Sequence, residues 1–358
     1  MNRSSTPPGI RRLPLAFAGE GPPVISVTAL AGLSGAVREL FGDKVLRQAK
    51  QAAMLDIEMI EDQECFIPQL SMTAFLEAIE RRSGEEHFGL LVAPHVTLAN
   101  YGWWGRYVLA AEDLGAAIAR AVSTLGYHGT GDRLRVAREG ELARLSYFSV
   151  ERGRPGYLSV ACGTAAAMIS LFRAFLSPDW RPRWIELDVP RSWAACRFEE
   201  TFSCPVGFDA GAVSVCFDGD LLDRPAMRRA EPDVITIEDV ARARLGPERI
   251  DSLDGVVVGH IWAQVLAGEV SVDSTAQALG TSVRSLQRAL HRDGVEFRDL
   301  VGMVRAARAR ELLKGTRASI TDISIQLGYA APANFARAFR KATGLAPQDF
   351  RKLVRVDG

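Results

Sequence analysis

Ser319 to Arg351 read SITDISIQLGYAAPANFARAFRKATGLAPQDFR, and this stretch decides how the C-terminal part of the chain folds. Ser319 is a suitable N-cap, and Asp322 three residues later supplies the acidic half of a capping box. Ile320, Ile323 and Leu327 recur at helical spacing. Gly328 stands where that helix must end, because glycine enters the left-handed region without a Cβ penalty. Phe335, Phe339 and Ala342 then mark the apolar face of a second helix, with Arg337, Arg340 and Lys341 elsewhere on its surface. Two short helices joined by a glycine turn, the second basic outside, form the pattern of a helix-turn-helix.

The same arrangement occurs once before. Ser271 can cap a helix bearing Val272, Ala276 and Leu279, and Gly280 turns the chain. Val283, Leu286 and Leu290 point inward from the next helix and leave Arg284, Gln287, Arg288 and His291 outward. Leu279-Gly280 returns 48 positions on as Leu327-Gly328, while Gly294 and Leu300 return 50 positions on as Gly344 and Phe350. Between the units, Phe297 to Lys314 reads as one helix, with Leu300, Val301, Val304, Leu312 and Leu313 apolar. Those 18 residues span about 27 Å, close to the roughly 34 Å between successive major grooves on one face of DNA. A rigid spacer of that length lets one chain present two recognition helices to adjacent grooves.

Residues 255–358 resemble the DNA-binding domain of the AraC/XylS family of bacterial transcription regulators. The resemblance is carried by Arg305, Ala309 and Leu312-Leu313 in the spacer, then Ile323-Ser324, Leu327-Gly328-Tyr329, Phe335, Arg337-Ala338-Phe339, Gly344, Pro347, Phe350 and Arg351. Ser324 stands where the family usually has alanine. The resemblance implies double-stranded promoter DNA and RNA polymerase as partners, and it turns Arg284, Gln287 and Arg288 toward the major groove. Chemistry agrees: Arg pairs bidentately with guanine O6/N7 and Gln with adenine N6/N7. Ser282 caps this helix, so its free N–H groups can meet a phosphate, and Ser285 lies in the same first turn. The second recognition helix has Pro332 and Ala333 where family members often carry polar side chains; Asn334 and Arg337 remain. Sequence discrimination is therefore expected mainly from the first helix, with the second positioning the protein through Arg337, Arg340 and Lys341.

Charge points the same way. From residue 255 onward the chain has 15 Lys/Arg against 9 Asp/Glu, a net of +6, within a chain whose 43 basic and 43 acidic residues cancel. The remainder is net −6, so a neutral chain joins an acidic N-terminal region to a basic C-terminal one. The length of 358 residues predicts two or three domains, and the apolar fraction of 47% predicts a globular chain with ample core. No uninterrupted apolar run reads as a membrane helix. The start, MNRSSTPPGIRRLPLAFAGEGPP, lacks an unbroken apolar core followed by a small-residue cleavage site and reads as a flexible tail over residues 1–24. The five cysteines (65, 162, 196, 204 and 216) are odd in number and never spaced as CxxC, which predicts reduced thiols and a cytoplasmic protein.

Residues 25–225 read as one α+β domain with its helices first. Helices are expected over Val27–Phe41, Lys44–Met59 and Ser71–Arg82, the last capped by Ser71 after Pro68, and then over Asp113–Leu125. Leu134–Val136 and Leu142–Phe148 form a hairpin turning at Glu139-Gly140. Tyr157–Phe175 is a long apolar stretch. A strand Trp184–Asp188, a helix Ser192–Phe202 and a strand near Val213–Phe217 follow. Residues 226–253 read as a linker with one short helix, ahead of an all-α domain over residues 254–358 with two helix-turn-helix motifs joined by a long helix. The N-terminal region looks unlike the all-β barrel of the arabinose sensor. It is similar to the arabinose-binding-domain-like sensor of ornithine-utilisation and virulence regulators, through Pro190, Phe202, Cys204-Pro205-Val206, Phe208, Asp209 and Leu221–Pro225. That resemblance implies a domain that senses a small effector, forms a homodimer, or both.

Tyr101, Trp103, Trp104, Tyr107, Tyr127, His128 and Tyr147 are the candidate effector residues, since aromatic walls with a few polar tips suit small-molecule pockets; ordinary core packing is the competing explanation. The five histidines lie far apart with no metal-ligand spacing, and no phosphate-binding glycine loop occurs, so neither metal nor cofactor is expected. Leu158–Cys162 followed by Gly-Thr resembles a strand and a nucleophile elbow, but no histidine lies between His128 and His260 to activate the thiol. A buried, inert Cys162 is the better reading. A DNA-repair reading would need four clustered cysteines near the N-terminus, and only Cys65 lies in the first 160 residues. The expectation is a non-enzymatic, effector-responsive activator; a regulator switched by a protein partner is the alternative.

Overall fold

The computed structural model describes residues 22–61, 63, 65–224, 235–236 and 253–356. Residues 1–21, most of the 226–253 stretch and its expected short helix lie outside the described residues. The chain opens on strand β1 (Val24–Ser26) and a 3₁₀ turn (Val27–Leu30), followed by α1 (Leu33–Phe41), α2 (Asp43–Ala53) and α3 (Ile57–Ile60). Strand β2 (Phe66–Pro68) pairs antiparallel with β1, Val24 facing Pro68, and leads directly into α4 (Gln69–Ser83).

The helices expected here are shorter than their apolar pattern, for local reasons. Gly32 takes φ +78° and separates the Val27 turn from α1. Met54, at φ +57°, ends α2, so Lys44–Met59 is two helices rather than one. Ser71 does not cap α4: Pro68 holds the N-cap position and Ser71 is buried inside the first turn. Strands β1 and β2 were not anticipated, being three residues each.

Short helices α5 (Phe88–Val92) and α6 (Gly102–Leu109) lead to α7 (Leu114–Thr124), which Asp113 caps by accepting from Ala116 N at 2.7 Å. The expected hairpin is present as β3 (Arg133–Glu139) and β4 (Leu142–Phe148), with Glu139 opposite Leu142. Tyr157–Phe175 is a single helix, α8, followed by β5 (Trp184–Glu186), α9 (Ala195–Phe202), β6 (Val206–Gly207) and β7 (Val213–Asp218). Ser192, the expected start of α9, precedes it and accepts instead from Ala194 N. The sheet order is β3-β4-β7-β5-β6, antiparallel except where β5 pairs with β6.

By length and composition α8 could cross a bilayer, contrary to the expectation of no such run. Its buried residues explain the composition differently. Ala161, Cys162, Ala165, Ile169 and Phe172 lie within the main core of the domain, and Phe172 meets Phe217 of β7 at 4.6 Å. Cys162 therefore sits in mid-helix, not at a strand-to-helix elbow, and burial pushes its thiol far up, which removes the thiolate a nucleophile needs. All five cysteines are unbridged.

Helix α10 (Leu253–Leu266) begins the C-terminal domain and was not read from the sequence. Its Val256, Val257, Val258 and Ile261 belong to the core that holds the helix-turn-helix residues, while Ala263 belongs to the N-terminal helical core. A helix apolar on all sides is a buried helix, and this one packs between the two regions. After it come α11 (Val272–Ala278), α12 (Val283–Arg292), α13 (Phe297–Gly315), α14 (Ile320–Gln326), α15 (Pro332–Thr343) and α16 (Pro347–Val356).

Candidate nucleic-acid interface and internal cavity

Both helix-turn-helix units fold as their spacing implies. Ser271, Ser282 and Ser319 each cap a helix, accepting from Ser274 N, Ser285 N and Asp322 N at 3.3, 3.2 and 3.1 Å. The capping box closes, since Ser319 N donates to the Asp322 carboxylate at 3.0 Å; the Ser319 hydroxyl, at 2.7 Å, and then this N–H hold that carboxyl below its usual range. Gly280 and Gly328 take φ of +66° and +72° at the two turns. Leu286 and Leu290 anchor α12; Phe335 and Phe339 anchor α15, with Phe339 meeting Phe350 of α16 edge-on at 5.5 Å. Ala342, expected inward, is exposed: only the Phe335–Phe339 row reaches the core.

This packing aims the candidate readers outward. On α12, Arg284, Gln287 and Arg288 are exposed, while Ser282 and Ser285 are half-buried and bonded to each other at 3.0 Å. On α15, Asn334, Arg337, Arg340 and Lys341 are exposed, and Arg337 donates to Asn334 Oδ1 at 2.7 Å, so these two side chains orient one another. Among the described residues no carboxylate forms an ion pair with Arg284, Arg288, Arg340 or Lys341, which leaves their charge available to an anionic partner.

Three further side chains hold the units in place: Arg305 and Arg351, which are among the residues that carry the family resemblance, and Gln264, which the sequence does not single out. Gln264 of α10 accepts from Ser271 N and donates to Ser271 O, clamping the start of the first unit. Arg305 of α13 lies over the Tyr329 ring at 4.8 Å and donates to Gly328 O, so the spacer holds the second turn. Arg351 donates to Ala318 O at 2.7 Å and ties α16 to the same unit.

The N-terminal domain holds an open-mouthed cavity of about 560 Å³, within the range of small-molecule sites. Of the candidate effector residues, Tyr101, Trp104, His128 and Tyr147 line it. Trp103 lies outward beneath Arg106, and Tyr107 packs under Arg120 at 4.8 Å. Tyr127 packs against the core without lining the cavity. Much of the wall comes from elements with no aromatic signal: Leu33 and Ala36 of α1, Met72 and Leu76 of α4, and Gly163 and Ala167 of α8. The α8 contribution is a stripe at helical spacing that a helical reading of Tyr157–Phe175 could have shown.

His128 stacks on Trp104 at 4.8 Å and tilts against Tyr101 at the same separation. It is 4% exposed, neither ring nitrogen meets a protein partner, and burial lowers its pKa to about 3. Trp104 Nε1 is engaged with Thr124 at 2.9 Å. Tyr147 donates to Asp132, which also accepts from Gln69 Nε2 and Val150 N. Burial raises Asp132 despite these donors and raises Tyr101 to about 12. At neutral pH the aromatic groups on the wall are uncharged.

Comparison with known proteins places both halves. Residues 44–226 match the arabinose-binding domain of AraC transcription regulators, N-terminal, and residues 275–353 match a helix-turn-helix domain. The chain belongs to the AraC family of transcription regulators. The regulator is 28% identical to the ornithine utilization regulator of Pseudomonas aeruginosa, over 95% of this chain and 98% of that one. It is 26% identical to the transcriptional regulator VirS of Mycobacterium tuberculosis, over 94% and 98% of the two chains. The crystal structure of the transcriptional regulator CdpR from Pseudomonas aeruginosa covers 80% of this regulator and 92% of its own chain, at 24% identity and TM-score 0.40.

Proposed function

We propose that this DNA-binding regulator is an effector-responsive activator, acting in the cytoplasm as a homodimer that recruits RNA polymerase. One observation carries the effector reading: the elements that wall the cavity also touch the DNA-binding domain. Ile25 of β1 lines the cavity, while its neighbour Val24 is buried in the core of the helix-turn-helix domain. Ser26 N donates to His128 O at 2.7 Å, so the strand follows the His128 loop. In α4, Met72 and Leu76 line the cavity, and Leu70 at the same helix's start lies against Gly280, the turn of the first helix-turn-helix. Occupancy that shifts β1 or α4 by a fraction of an ångström therefore bears on α10 and on the Gly280 turn. A ligand favours whichever arrangement it binds better, and only by that difference in affinity.

Within the DNA-binding domain, α12 supplies base readout through Arg284, Gln287 and Arg288, and α15 positions the protein through Asn334, Arg337, Arg340 and Lys341. The test is binding of the full chain to its operator DNA, in parallel with a Gly163→Leu variant that narrows the cavity. The reading predicts a changed operator affinity or a changed transcriptional output. Identical binding and identical output would favour control without a small ligand.

A further inference from the structure

We infer that the cavity takes an uncharged, largely apolar small molecule with one hydrogen-bonding head, a carbonyl or a hydroxyl, seated against His128. This inference rests on the effector reading of the same cavity.

The wall argues first. Leu33, Met72, Leu76, Met168 and Leu171 present hydrocarbon from three helices. A sugar would set several hydroxyls against this hydrocarbon, and of the polar side chains on the wall Thr28 and Ser159 are already engaged with Ser26 and Glu80, so hydroxyls left unpaired would lose water without compensation. Charge argues second. Neither Lys nor Arg lines the cavity, and the single lining carboxylate, Glu39, is exposed at its rim. The carboxylate bonded to Tyr147, Asp132, is half-buried, already covered by Tyr147, Gln69 and the Val150 amide, and does not line the space. Glu39 and His95, which also line the cavity, are both exposed, so an ammonium or a carboxylate carried to the buried His128 end would meet no counter-charge there, and burying an unpaired ion is far more costly than burying a neutral head.

His128 then fixes what the head must be. A neutral imidazole offers one N–H donor and one bare nitrogen acceptor, and here both lack protein partners while the ring is buried. Stacking on Trp104 and contact with Tyr101 hold the ring in place, and Trp104 Nε1 is engaged elsewhere. A ligand carbonyl would accept from the imidazole N–H; a hydroxyl would donate to its bare nitrogen. Burial keeps His128 neutral, so this site is tuned for a neutral head rather than an anion.

The test uses the full chain and four probes: octan-2-one, octanoate, octylammonium and L-arabinose. The first three share one eight-carbon body and differ in head charge; the fourth is neutral and polar. Dissociation constants are read by ligand-observed NMR, with Gly163→Leu as the narrowed control. The inference predicts that octan-2-one binds at least tenfold tighter than the other three, and that Gly163→Leu weakens the binding at least tenfold. His128→Phe keeps the stacked ring and should weaken octan-2-one by roughly tenfold, the value of one buried hydrogen bond. If that variant does not fold, the probe series on the wild type decides alone. Tighter binding of octanoate, octylammonium or arabinose, weakened in Gly163→Leu, would overturn the ligand class and leave the effector site standing. No binding by any probe, with Gly163→Leu acting on operator DNA like wild type, would overturn both.

Discussion

Gly163 in α8 is the position where the cavity can be tested without breaking the fold. A Cβ built there meets no heavy atom within 4 Å, and the residue has ordinary helical backbone. Leucine adds four carbons into that space. Replacing glycine in a helix interior gains up to about 1 kcal/mol in propensity. Burying a leucine contributes about 1.5–3 kcal/mol when complete; at half-buried Gly163 roughly 1–2 kcal/mol is the reasonable share, less about 0.5–1 kcal/mol of side-chain entropy. The net is a stabilisation of about 1–2 kcal/mol, or a rise in Tm of roughly 2–8 °C for a domain of this size. Differential scanning calorimetry of wild type and Gly163→Leu reads it directly, and the same variant should lose at least tenfold in affinity for any effector. A variant less stable than wild type, with effector binding intact, would refute the open space assigned to Gly163.

Other perturbations follow from single side chains. Ser324 is buried with no hydrogen-bond partner for its hydroxyl, so Ser324→Ala should stabilise the DNA-binding domain by about 1 kcal/mol in urea denaturation; a loss of that size would show a hidden partner. Removing Arg340 and Lys341 together should reduce the salt slope of DNA binding by about 0.9 for each phosphate they neutralise in the wild type, leaving sequence preference unchanged. His128 is held neutral by burial, its pKa falling from 6.5 to about 3. The folded state then binds fewer protons than the unfolded one, so this residue's contribution is present above pH 6.5 and lost as pH falls toward 3. Between about pH 6 and pH 4, His128→Phe should gain on wild type by about 1.4 kcal/mol per pH unit; a flat difference would place a protonated imidazole in the cavity.

The DNA-binding domain was legible because its signals are local. Serine caps, turn glycines and apolar residues at helical spacing sit within a dozen residues of each other, and each acts where it stands. The hairpin at Gly140 was legible for the same reason. The cavity was only half legible. Tyr101, Trp104, His128 and Tyr147 advertise themselves by residue type, but Trp103, Tyr107 and Tyr127 carry the same label and pack elsewhere. Gly163 and Ala167 matter through what they leave empty, which no single residue type announces. The link between the domains was illegible: β1 and β2 are too short to show a period, and α10 is apolar on all sides, so neither face named its partner. Propensity also misled at Val27 and Lys44, where Gly32 and the left-handed Met54 end helices that the apolar pattern would have continued.

In the proposed reading, α12 reads the DNA bases and α15 positions the protein. Selection of binding sites from random duplex DNA by the full chain tests it most directly, run in parallel with Arg288→Ala. The account predicts two contact blocks about one helical turn apart, roughly 10–10.5 base pairs. One block should be strongly specified and the other weakly. Arg288→Ala should relax one position of the strong block at a cost of about 1–3 kcal/mol. A selected site whose strong block is untouched by Arg288→Ala, or a variant that weakens all sequences equally, would contradict the assignment of base reading to α12.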